Sequence, residues 1–369
     1  ELRMKRLRLM VIMLLILALS LTLAACGSSD TEDAAGEEAQ EEVQETADEE
    51  EAVEEEINLS GTTLNVVTTS GGMYAPLFEK FEKDTGIKIE FLEMSSGEVL
   101  ARTRAEGGKP MADLWFSGGI DAFMMAKNEG LLEQYFPEGY EEIYPQYRDD
   151  DGYWYGKGLN IIAFIVNNDI LEEKNLPVPK AWPDLLNPAY EGEIMAANPA
   201  ISGNAFAFVA GVLETMGEEE GWKYLEELDK NIPYYGKRGR DPYTKVVEGE
   251  VAIGITYINK SILELEEQYN VSIIYPEDFI PWIAEGMAIF KNAKNLEGAK
   301  AFLDWVLKDE NMQMLAEIDM KDTNMMVKPG ITAYDLGVPM DRFVEQDLSV
   351  FGERREGIIE KWVELVGDK

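Results

Sequence analysis

Short alternating segments and segments with helical spacing follow one another along the chain, separated by turns rich in serine and glycine. Positions 63–68 alternate as a half-buried strand does, and Leu77, Phe78 and Phe81 lie at helical spacing in the segment that follows. This order occurs three times before residue 130, with strands predicted at 63–68, 88–93 and 112–116 and helices at 74–85, 98–106 and 120–129. The repetition predicts an α/β fold with mostly parallel strands.

The same order continues further along the chain with different turns. A strand predicted at 193–197 leads through a polar turn into an apolar helix at 205–215. Asp241 and Pro242 mark another helix start, because aspartate is a good N-cap and proline favours the first helical position. The remaining elements of this region are a helix at 241–248, a strand at 251–256 and a helix at 260–268. Two α/β halves are therefore expected.

The turns between these strands and helices carry the candidate binding residues. The first turn of a helix has amide hydrogens without internal partners and a partial positive charge. In an open parallel sheet these turns gather at the carboxyl edge, where glycine lets the backbone approach a ligand and hydroxyls add donors. We expect an anion to be bound by Thr69, Ser70, Gly71, Ser95, Ser96, Gly97, Ser117, Gly118, Gly119, Ser202, Gly203 and Asn204.

Ordinary capping and turn chemistry uses the same residue types, so any one of these turns alone is a weak indication of a site. Arg238 or Arg240, just before the helix start at Asp241, is a candidate charge partner for an oxyanion. The alternative for these arginines is a solvated loop in an acidic protein. We take Arg240 as the binding candidate.

The first residues have the pattern of a secretory signal that ends in a lipid attachment site. Lys5, Arg6 and Arg8 precede an apolar run, and the run ends in Ala24-Ala25-Cys26. This pattern resembles the lipobox of bacterial lipoproteins, in which the cysteine is acylated and becomes the first mature residue. Residues 1–25 are then the signal peptide, and lipid on Cys26 holds the protein at the membrane, outside the cytoplasm. An uncleaved transmembrane anchor is the alternative.

An acidic segment follows Cys26. Residues 27–56 contain fifteen Asp and Glu and no Lys or Arg, with few large apolar side chains, so they cannot bury enough surface to order themselves. We predict a tether over 26–58. Binding of calcium or of a partner by the acidic run is the alternative.

Composition excludes several classes of function. The chain carries 33 Lys and Arg against 71 Asp and Glu, a formal net charge of −38, which disfavours nucleic acid and anionic membrane surfaces as partners. It has no histidine, which removes Ser-His-Asp triads and ordinary zinc sites, and a single cysteine, which removes internal disulfides. No motif positions two carboxylates around one substrate bond. We therefore expect neither an enzyme nor a cofactor.

Longer motifs add a family resemblance. From about residue 62 to residue 329 the chain resembles the extracellular solute-binding proteins of ABC transporters, in the branch that binds ferric ion, 2-aminoethylphosphonate, phosphoglycerate or hexose phosphate. The motifs that carry the resemblance are SGE at 96–98, ADLW at 112–115, IVNNDIL at 165–171, KAWPDLLNPAYEG at 180–192, NPA at 198–200, VEGEVAIG at 247–254, EGMAI at 285–289 and AKAFLDW at 299–305.

The resemblance implies a two-lobed clamshell of the type II periplasmic binding protein fold. Each lobe is a mostly parallel sheet flanked by helices, and the chain crosses between the lobes twice, near 160–167 and 271–275. The implied division is lobe 1 at 59–162 and 274–325, lobe 2 at 163–273, and a C-terminal helical extension at 326–369. The lobes close on a solute by a hinge motion and then meet a membrane permease.

The residues that would select the solute differ from those of the ferric-binding members of the family. Ferric-binding relatives use two adjacent tyrosines after the VEGEVAIG motif, whereas this chain has Tyr257 without an adjacent tyrosine. We therefore expect a small organophosphate or phosphonate anion, with Arg240 and Tyr257 among its ligands and no metal. Ferric ion remains one alternative, and input to a membrane histidine kinase instead of a permease is another.

Aromatic and acidic residues near the expected lobe crossings leave two further possibilities open. Tyr153, Trp154, Tyr155 and Trp282 could stack on a ring of the solute, although packing is the commoner role of such residues. Glu285 and Asp278 could bind an ammonium group of an aminophosphonate. For isolated carboxylates, surface solvation is the commoner state.

Overall fold

The computed structural model describes residues 58–107, 109–348, 351–367 and 369. Residues Ile57–Lys369 form one compact unit. The predicted signal peptide, the acylated Cys26 and most of the acidic tether lie outside the described residues. Among the described residues, no helix combines the length and the apolar composition that crossing a membrane requires.

Three parallel strands build the first half of the sheet. Strand β1 (Thr63–Thr68) pairs in parallel with β2 (Lys88–Glu93) on one side and β3 (Leu114–Gly119) on the other. Each strand leads into a helix: α1 (Gly71–Thr85), α2 (Ser96–Ala105) and α3 (Ile120–Asn128). Because the three strands run in the same direction, the starts of these helices meet at one edge of the sheet.

The second half of the sheet is formed from later residues. The parallel strands are β6 (Ile194–Ala197), which pairs with β7 (Tyr235–Gly236) and β8 (Ile253–Ile258). Its helices are α5 (Gly203–Met216), α6 (Glu218–Asp229), α7 (Asp241–Val247), α8 (Lys260–Leu263) and α9 (Leu265–Gln268). Two halves of similar build therefore face one another.

Two long antiparallel strands join the halves. Strand β5 (Tyr155–Asn167) pairs with β10 (Trp282–Phe290) along its first part and with β8 along its second part. The short strands β4 (Leu132–Glu133) and β9 (Val271–Ile274) pair with β10 and β5, and α4 (Asn168–Glu173) follows β5. The described residues form one mixed sheet in the order β2-β1-β3-β10-β5-β8-β6-β7. The segments expected to cross between lobes lie in β5 and β9.

The core of the first half is aromatic. Helix α10 (Leu296–Val306) places Phe302 5.0 Å from Phe81 and 5.4 Å from Phe116, in edge-to-face contacts. Helix α11 (Asp309–Asp319) packs beside α1. Tyr74, near the start of α1, donates its hydroxyl to Asp319 Oδ1 at 2.8 Å, so the start of α1 and the end of α11 meet.

Several element boundaries differ from those predicted. Helix α1 takes in Gly71 and Gly72, and α2 takes in Ser96 and Gly97, so these residues are helical and are not turn residues. The helix predicted at 260–268 breaks into α8 and α9 around Glu264. Strand β3 extends through Gly119, with Ser117 at φ 74°. In a sequence, glycine and serine indicate a turn, but the same residues also occur in the first turn of a helix.

The C-terminal extension is only partly helical. In the segment 326–369, the described residues form a short 3-10 turn at Met340–Arg342 and the helix α12 (Phe351–Val366). Residues before α12 run back along the joining strands, where Val344 O accepts a hydrogen bond from Trp282 Nε1 at 2.9 Å. The loop before α12 therefore contacts a joining strand.

Candidate functional site

A cavity of about 90 Å³ lies between the two halves of the sheet. Each water needs roughly 10–15 Å³ on this measure, so the cavity has room for several waters or a small solute. The predicted binding residues that line it are Thr69, Ser70, Ser95, Ser96, Gly118, Gly119, Ser202, Gly203, Asn204, Arg240 and Tyr257. Residues from the starts of α1, α2 and α5 and from the end of β3 therefore meet around one space.

Three of the predicted binding residues do not line the cavity. Gly71 lies in the first turn of α1 against the ring of Phe91, which leaves no room for a Cβ. Gly97 faces Ile201 of the opposite half. Ser117 is completely buried behind the cavity, where its hydroxyl contacts Thr69 Oγ1 at 2.8 Å and Glu285 Oε1 at 3.0 Å. These residues support the wall and do not form its surface.

The two halves are in direct backbone contact beside the cavity. The amide of Gly97 donates to the carbonyl oxygen of Ile201 at 2.9 Å. A Cβ on Gly97 would lie 2.1 Å from Ala200 O, and a Cβ on Gly203 would lie 2.8 Å from the Cα of Gly119. Glycine is needed at these positions because the backbones approach too closely for any side chain. The structure is thus a closed arrangement of the halves.

Buried charges form the floor of the cavity. Lys321 Nζ lies 2.8 Å from Glu285 Oε2, and Lys157 Nζ lies 3.1 Å from the same oxygen. Lys157 Nζ also lies 2.6 Å from Asp319 Oδ2, and Tyr74 donates its hydroxyl to Asp319 Oδ1 at 2.8 Å. Two lysines thus neutralise two carboxylates, and the floor has no net charge.

The pairing sets the ionisation of the floor. Burial alone would raise the pKa of Glu285, but the ammonium groups of Lys157 and Lys321 lower that pKa below its ordinary value. Burial alone would lower the pKa of Lys157, but Asp319 and Glu285 raise it well above its ordinary value. Burial, with Asp319 beside it, raises the pKa of Tyr74. Glu285 and Lys157 are charged at neutral pH, and Tyr74 is a neutral donor.

The floor is connected to the second half through amide side chains. Lys321 Nζ donates to Leu159 O at 2.8 Å and to the side-chain oxygen of Asn160. Asn160 Nδ2 then donates to Asn204 Oδ1 at 2.9 Å, in the first turn of α5. Asn160 and Asn204 both line the cavity, so the same contacts position its surface.

Two arginines of the second half line the cavity opposite the floor. Arg238 Nη1 lies 3.9 Å from Glu93 Oε2 of the first half, and Glu93 Oε1 accepts the amide of Gly72 at 3.1 Å. Glu93 therefore occupies the start of α1 and pairs with the Gly72 amide there. The guanidinium of Arg240 makes no hydrogen bond or ion pair with the described residues. Arg240 is thus a partly buried cation that none of the described side chains pairs with.

Polar residues at the starts of α5, α3 and α2 differ in the hydrogen bonds that they form. Ser202 Oγ accepts the amide of Ala205 at 3.4 Å, so Ser202 is a helix cap as well as a cavity residue. Asp121, in the first turn of α3, is completely buried and pairs with Arg355 at 2.6 Å. The hydroxyl of Ser96 forms no hydrogen bond with the described residues, although only 2% of the residue is exposed. The hydroxyl of Ser70, at the start of α1, likewise forms no hydrogen bond with the described residues, so Ser70 and Ser96 both have hydroxyls available to a ligand.

The sequence analysis missed several cavity residues because they come from distant elements. They are Met73, Tyr74, Asn160, Gly239, Asn259, Asp319 and Lys321, with Lys157 directly behind them. One signal was available: Lys157 is a charged residue inside an otherwise apolar and glycine-rich strand, and such a charge needs a partner. The identity of that partner, 162 positions away in sequence, was not accessible.

Tyr257 lines the cavity, and a second tyrosine lies near it after all. The ring of Tyr243, on α7, is 6.1 Å from the ring of Tyr257 and perpendicular to it. Burial raises the pKa of Tyr257, so its side chain is a neutral phenol at neutral pH. Among the described residues, no group of three or more Asp, Glu, His or Cys is arranged to hold a metal ion.

The other aromatic and acidic candidates have packing roles. Trp282 Nε1 donates to Val344 O, and neither Trp282 nor the 153–155 aromatics line the cavity. Asp278 accepts the backbone amides of Trp182 and Phe279, whereas Glu285 lies in the floor, paired with lysine. The prediction that Glu285 is a solvated surface carboxylate was wrong, because β10 carries it into the centre of the sheet.

Comparison with known proteins agrees with this geometry. The family model described as bacterial extracellular solute-binding protein matches residues 67–313. A Haemophilus influenzae protein named only as uncharacterized is 29% identical over 325 residues, 85% of this chain and 93% of that protein. The Fe(3+)-binding periplasmic protein of Serratia marcescens is 27% identical over 246 residues, 64% of this chain and 70% of that one.

A solved structure shares the fold. The periplasmic binding protein AfuA from Actinobacillus pleuropneumoniae, with exogenous fructose 6-phosphate bound, has a TM-score of 0.77 and 26% identity, covering 84% of this chain and 100% of that chain. The expected two-lobed type II periplasmic binding protein fold is confirmed, and each half of the sheet belongs to one lobe. The family resemblance is confirmed as well: this chain belongs to the bacterial extracellular solute-binding proteins, the solute-capturing components of ABC importers.

Proposed function

We propose that this protein captures a small organophosphate or phosphonate anion between its lobes and delivers it to the permease of an ABC importer. The observation that carries the proposal is the unpaired Arg240 guanidinium at a closed cavity. In a chain of net charge −38, acidic side chains are abundant, yet none of the described ones pairs with Arg240. A cation kept without a protein partner in a partly buried place is suited to a ligand anion.

The rest of the cavity supports the same class of solute. Arg238, Arg240 and Lys321 line it against two carboxylates, and Lys157 offsets those carboxylates from behind. The starts of α2 and α5 and the end of β3 bring the backbone close to the cavity, and the Ser96 hydroxyl has no hydrogen bond with the described residues. Tyr257, whose pKa is raised by burial, is a neutral phenol that fits a hydroxyl or phosphoryl oxygen.

The remaining sequence predictions complete the proposal. Cleavage before Cys26 and acylation of its sulfur would hold the protein on the outer face of the membrane, with 26–58 as the tether. Lobe 1 would comprise 59–162 and 274–325, and lobe 2 would comprise 163–273. Replacing Cys26 with serine should release the protein from the membrane fraction, and unchanged membrane association would contradict the anchor.

The solute class is tested by identifying what the purified protein carries and what stabilises it. Mass spectrometry of released small molecules should detect an organophosphate or phosphonate. In thermal melting, fructose 6-phosphate, 3-phosphoglycerate, 2-aminoethylphosphonate and ferric citrate form the panel, because a ligand of the folded state raises the melting temperature. Stabilisation by ferric citrate, with no response to the phosphorus compounds, would overturn the proposal.

A matched pair of arginine variants locates the anion. Arg240→Gln should remove the melting shift produced by the anion. Arg102→Gln removes an equal charge from the surface of α2, where Arg102 pairs with Glu106, and should leave the shift unchanged. Equal responses of the two variants would show that Arg240 acts only through the net charge of the protein.

A further inference from the structure

The C-terminal helix α12 contacts both lobes, although it lies beyond the family-matched segment 67–313. Phe351 packs edge-to-face against Phe206 at 5.8 Å, and Trp362 packs against Tyr235 at 5.0 Å, both in the second lobe. Gly352 lies against Met124 of α3 in the first lobe, where a Cβ would come within 2.6 Å of the Met124 Cβ. The helix therefore bridges the lobes.

Two consecutive arginines on α12 make contacts of different kinds. Arg354 pairs with Glu214 and, at 2.7 Å, with Glu218, which both belong to helices of the second lobe. Arg355 Nε pairs with Asp121 Oδ2 of the first lobe at 2.6 Å, and its Nη2 donates to Ala200 O of the second lobe at 3.3 Å. Successive helical residues point about 100° apart, which explains this division.

The contacts of Arg355 lie directly beside the cavity. Asp121 follows Gly119 and Ile120 at the start of α3, and Gly119 lines the cavity. Ala200 precedes Ile201, whose carbonyl accepts the amide of Gly97 across the cleft. One guanidinium thus holds a segment of each cavity wall.

Burial makes this contact dependent on closure. Asp121 is completely buried, and Arg355 is 6% exposed. A buried carboxylate without its cation is strongly unfavourable. When the lobes separate, α12 can remain with only one of them, so Arg355 loses either Asp121 or Ala200.

We infer that Arg355 is a positioning residue for solute capture, which stabilises the closed arrangement of the lobes by bridging Asp121 and Ala200. The inference extends beyond the proposed function because it does not depend on which solute is bound. Its effect is on the population of the closed state, and it reaches the solute only through Asp121 and the Ala200 segment.

The test measures closure without a solute. In the full chain carrying Cys26→Ser, Ser95→Cys and Lys237→Cys place thiols across the cleft, where Ser95 Oγ lies 3.4 Å from Lys237 O. A short bismaleimide then cross-links the lobes at a rate that tracks the closed fraction, even when that fraction is small. Urea unfolding of each variant measures its overall stability separately.

Arg355→Gln should slow cross-linking by about tenfold or more, and Arg355→Lys should recover part of the rate. The double variant Arg355→Gln, Asp121→Asn should cross-link faster than Arg355→Gln alone, because closure then buries no unpaired carboxylate. Arg354→Gln is the matched control: it removes partly exposed pairs with the second lobe alone, which contribute little, and should leave the rate within about twofold. A wild-type rate in Arg355→Gln, or equal slowing by Arg354→Gln, would overturn the inference.

Discussion

The ammonium nitrogen of Lys157 lies 2.6 Å from Oδ2 of Asp319, and neither side chain is accessible to solvent beyond 2%. Lys157 comes from the long strand β5, which joins the lobes, and Asp319 ends helix α11 of the first lobe. Together with Glu285 and Lys321 they form a neutral floor under the cavity. The floor therefore ties the joining strand to the wall of the first lobe.

Replacing Lys157 with methionine should destabilise the protein by about 3–5 kcal/mol, because Asp319 and Glu285 then stay buried without one of their cations. Urea unfolding measures the change. Lys260→Met is the control, since Lys260 forms a half-exposed pair with Glu264 and should cost about 1 kcal/mol or less. Similar values for the two variants would show that the buried pair contributes no more than a surface pair.

The stability of the floor should depend on pH in a defined direction. The folded-state pKa of Glu285 lies below its ordinary value, so its contribution is present at neutral pH and is lost as pH falls below about 4.5 toward the folded pKa. The free energy of unfolding should therefore fall more steeply between pH 5 and pH 3 in wild type than in Glu285→Gln. Glu310→Gln, at an exposed site, should retain the wild-type slope.

Gly97→Ala should separate binding from stability. The added Cβ would lie 2.1 Å from Ala200 O, so the lobes could not reach the closed arrangement, and affinity for the bound anion should fall at least about tenfold. Alanine in a helix is favoured over glycine by up to about 1 kcal/mol, so unfolding in urea should show no loss of stability. Gly357→Ala on α12 faces open space and should leave binding unchanged. Unchanged affinity in Gly97→Ala would mean that capture does not require this contact.

Ser96 and Ser202, two of the serines that line the cavity, should respond differently to alanine. Ser202 caps α5, so Ser202→Ala should lower stability by about 1 kcal/mol as well as weaken binding. Ser96 has no hydrogen-bond partner among the described residues, so Ser96→Ala should weaken anion binding with little change in the urea midpoint. Calorimetric titration of the anion identified by mass spectrometry, with the unfolding curves, separates the two effects. An equal loss of stability in both variants would assign Ser96 a structural role.

Much of the local structure was predictable. The predicted strands at 63–68 and 88–93 coincide with β1 and β2, and Asp241 does begin α7. The starts of α1 and α2 were predicted too late, because glycine and serine occur both in turns and in helix starts. Gly71, Ser96 and Gly97 indicate a turn in the sequence, yet each lies in the first turn of a helix. A helix start depends on which amides find partners, and those partners include Glu93 and Ile201 from other elements.

The site was predictable only on the side formed by strand-to-helix turns. Serine and glycine follow each strand at short range, and parallel strands bring such turns to one edge of a sheet wherever the fold is formed. Alternation, capping residues and turn residues therefore determined the fold class and the walls of the cavity. The floor and the closure contacts were decided by tertiary structure alone. Lys157 with Asp319, and Arg355 with Asp121, are joined across more than 150 positions, and burial of charge selects such partners in space.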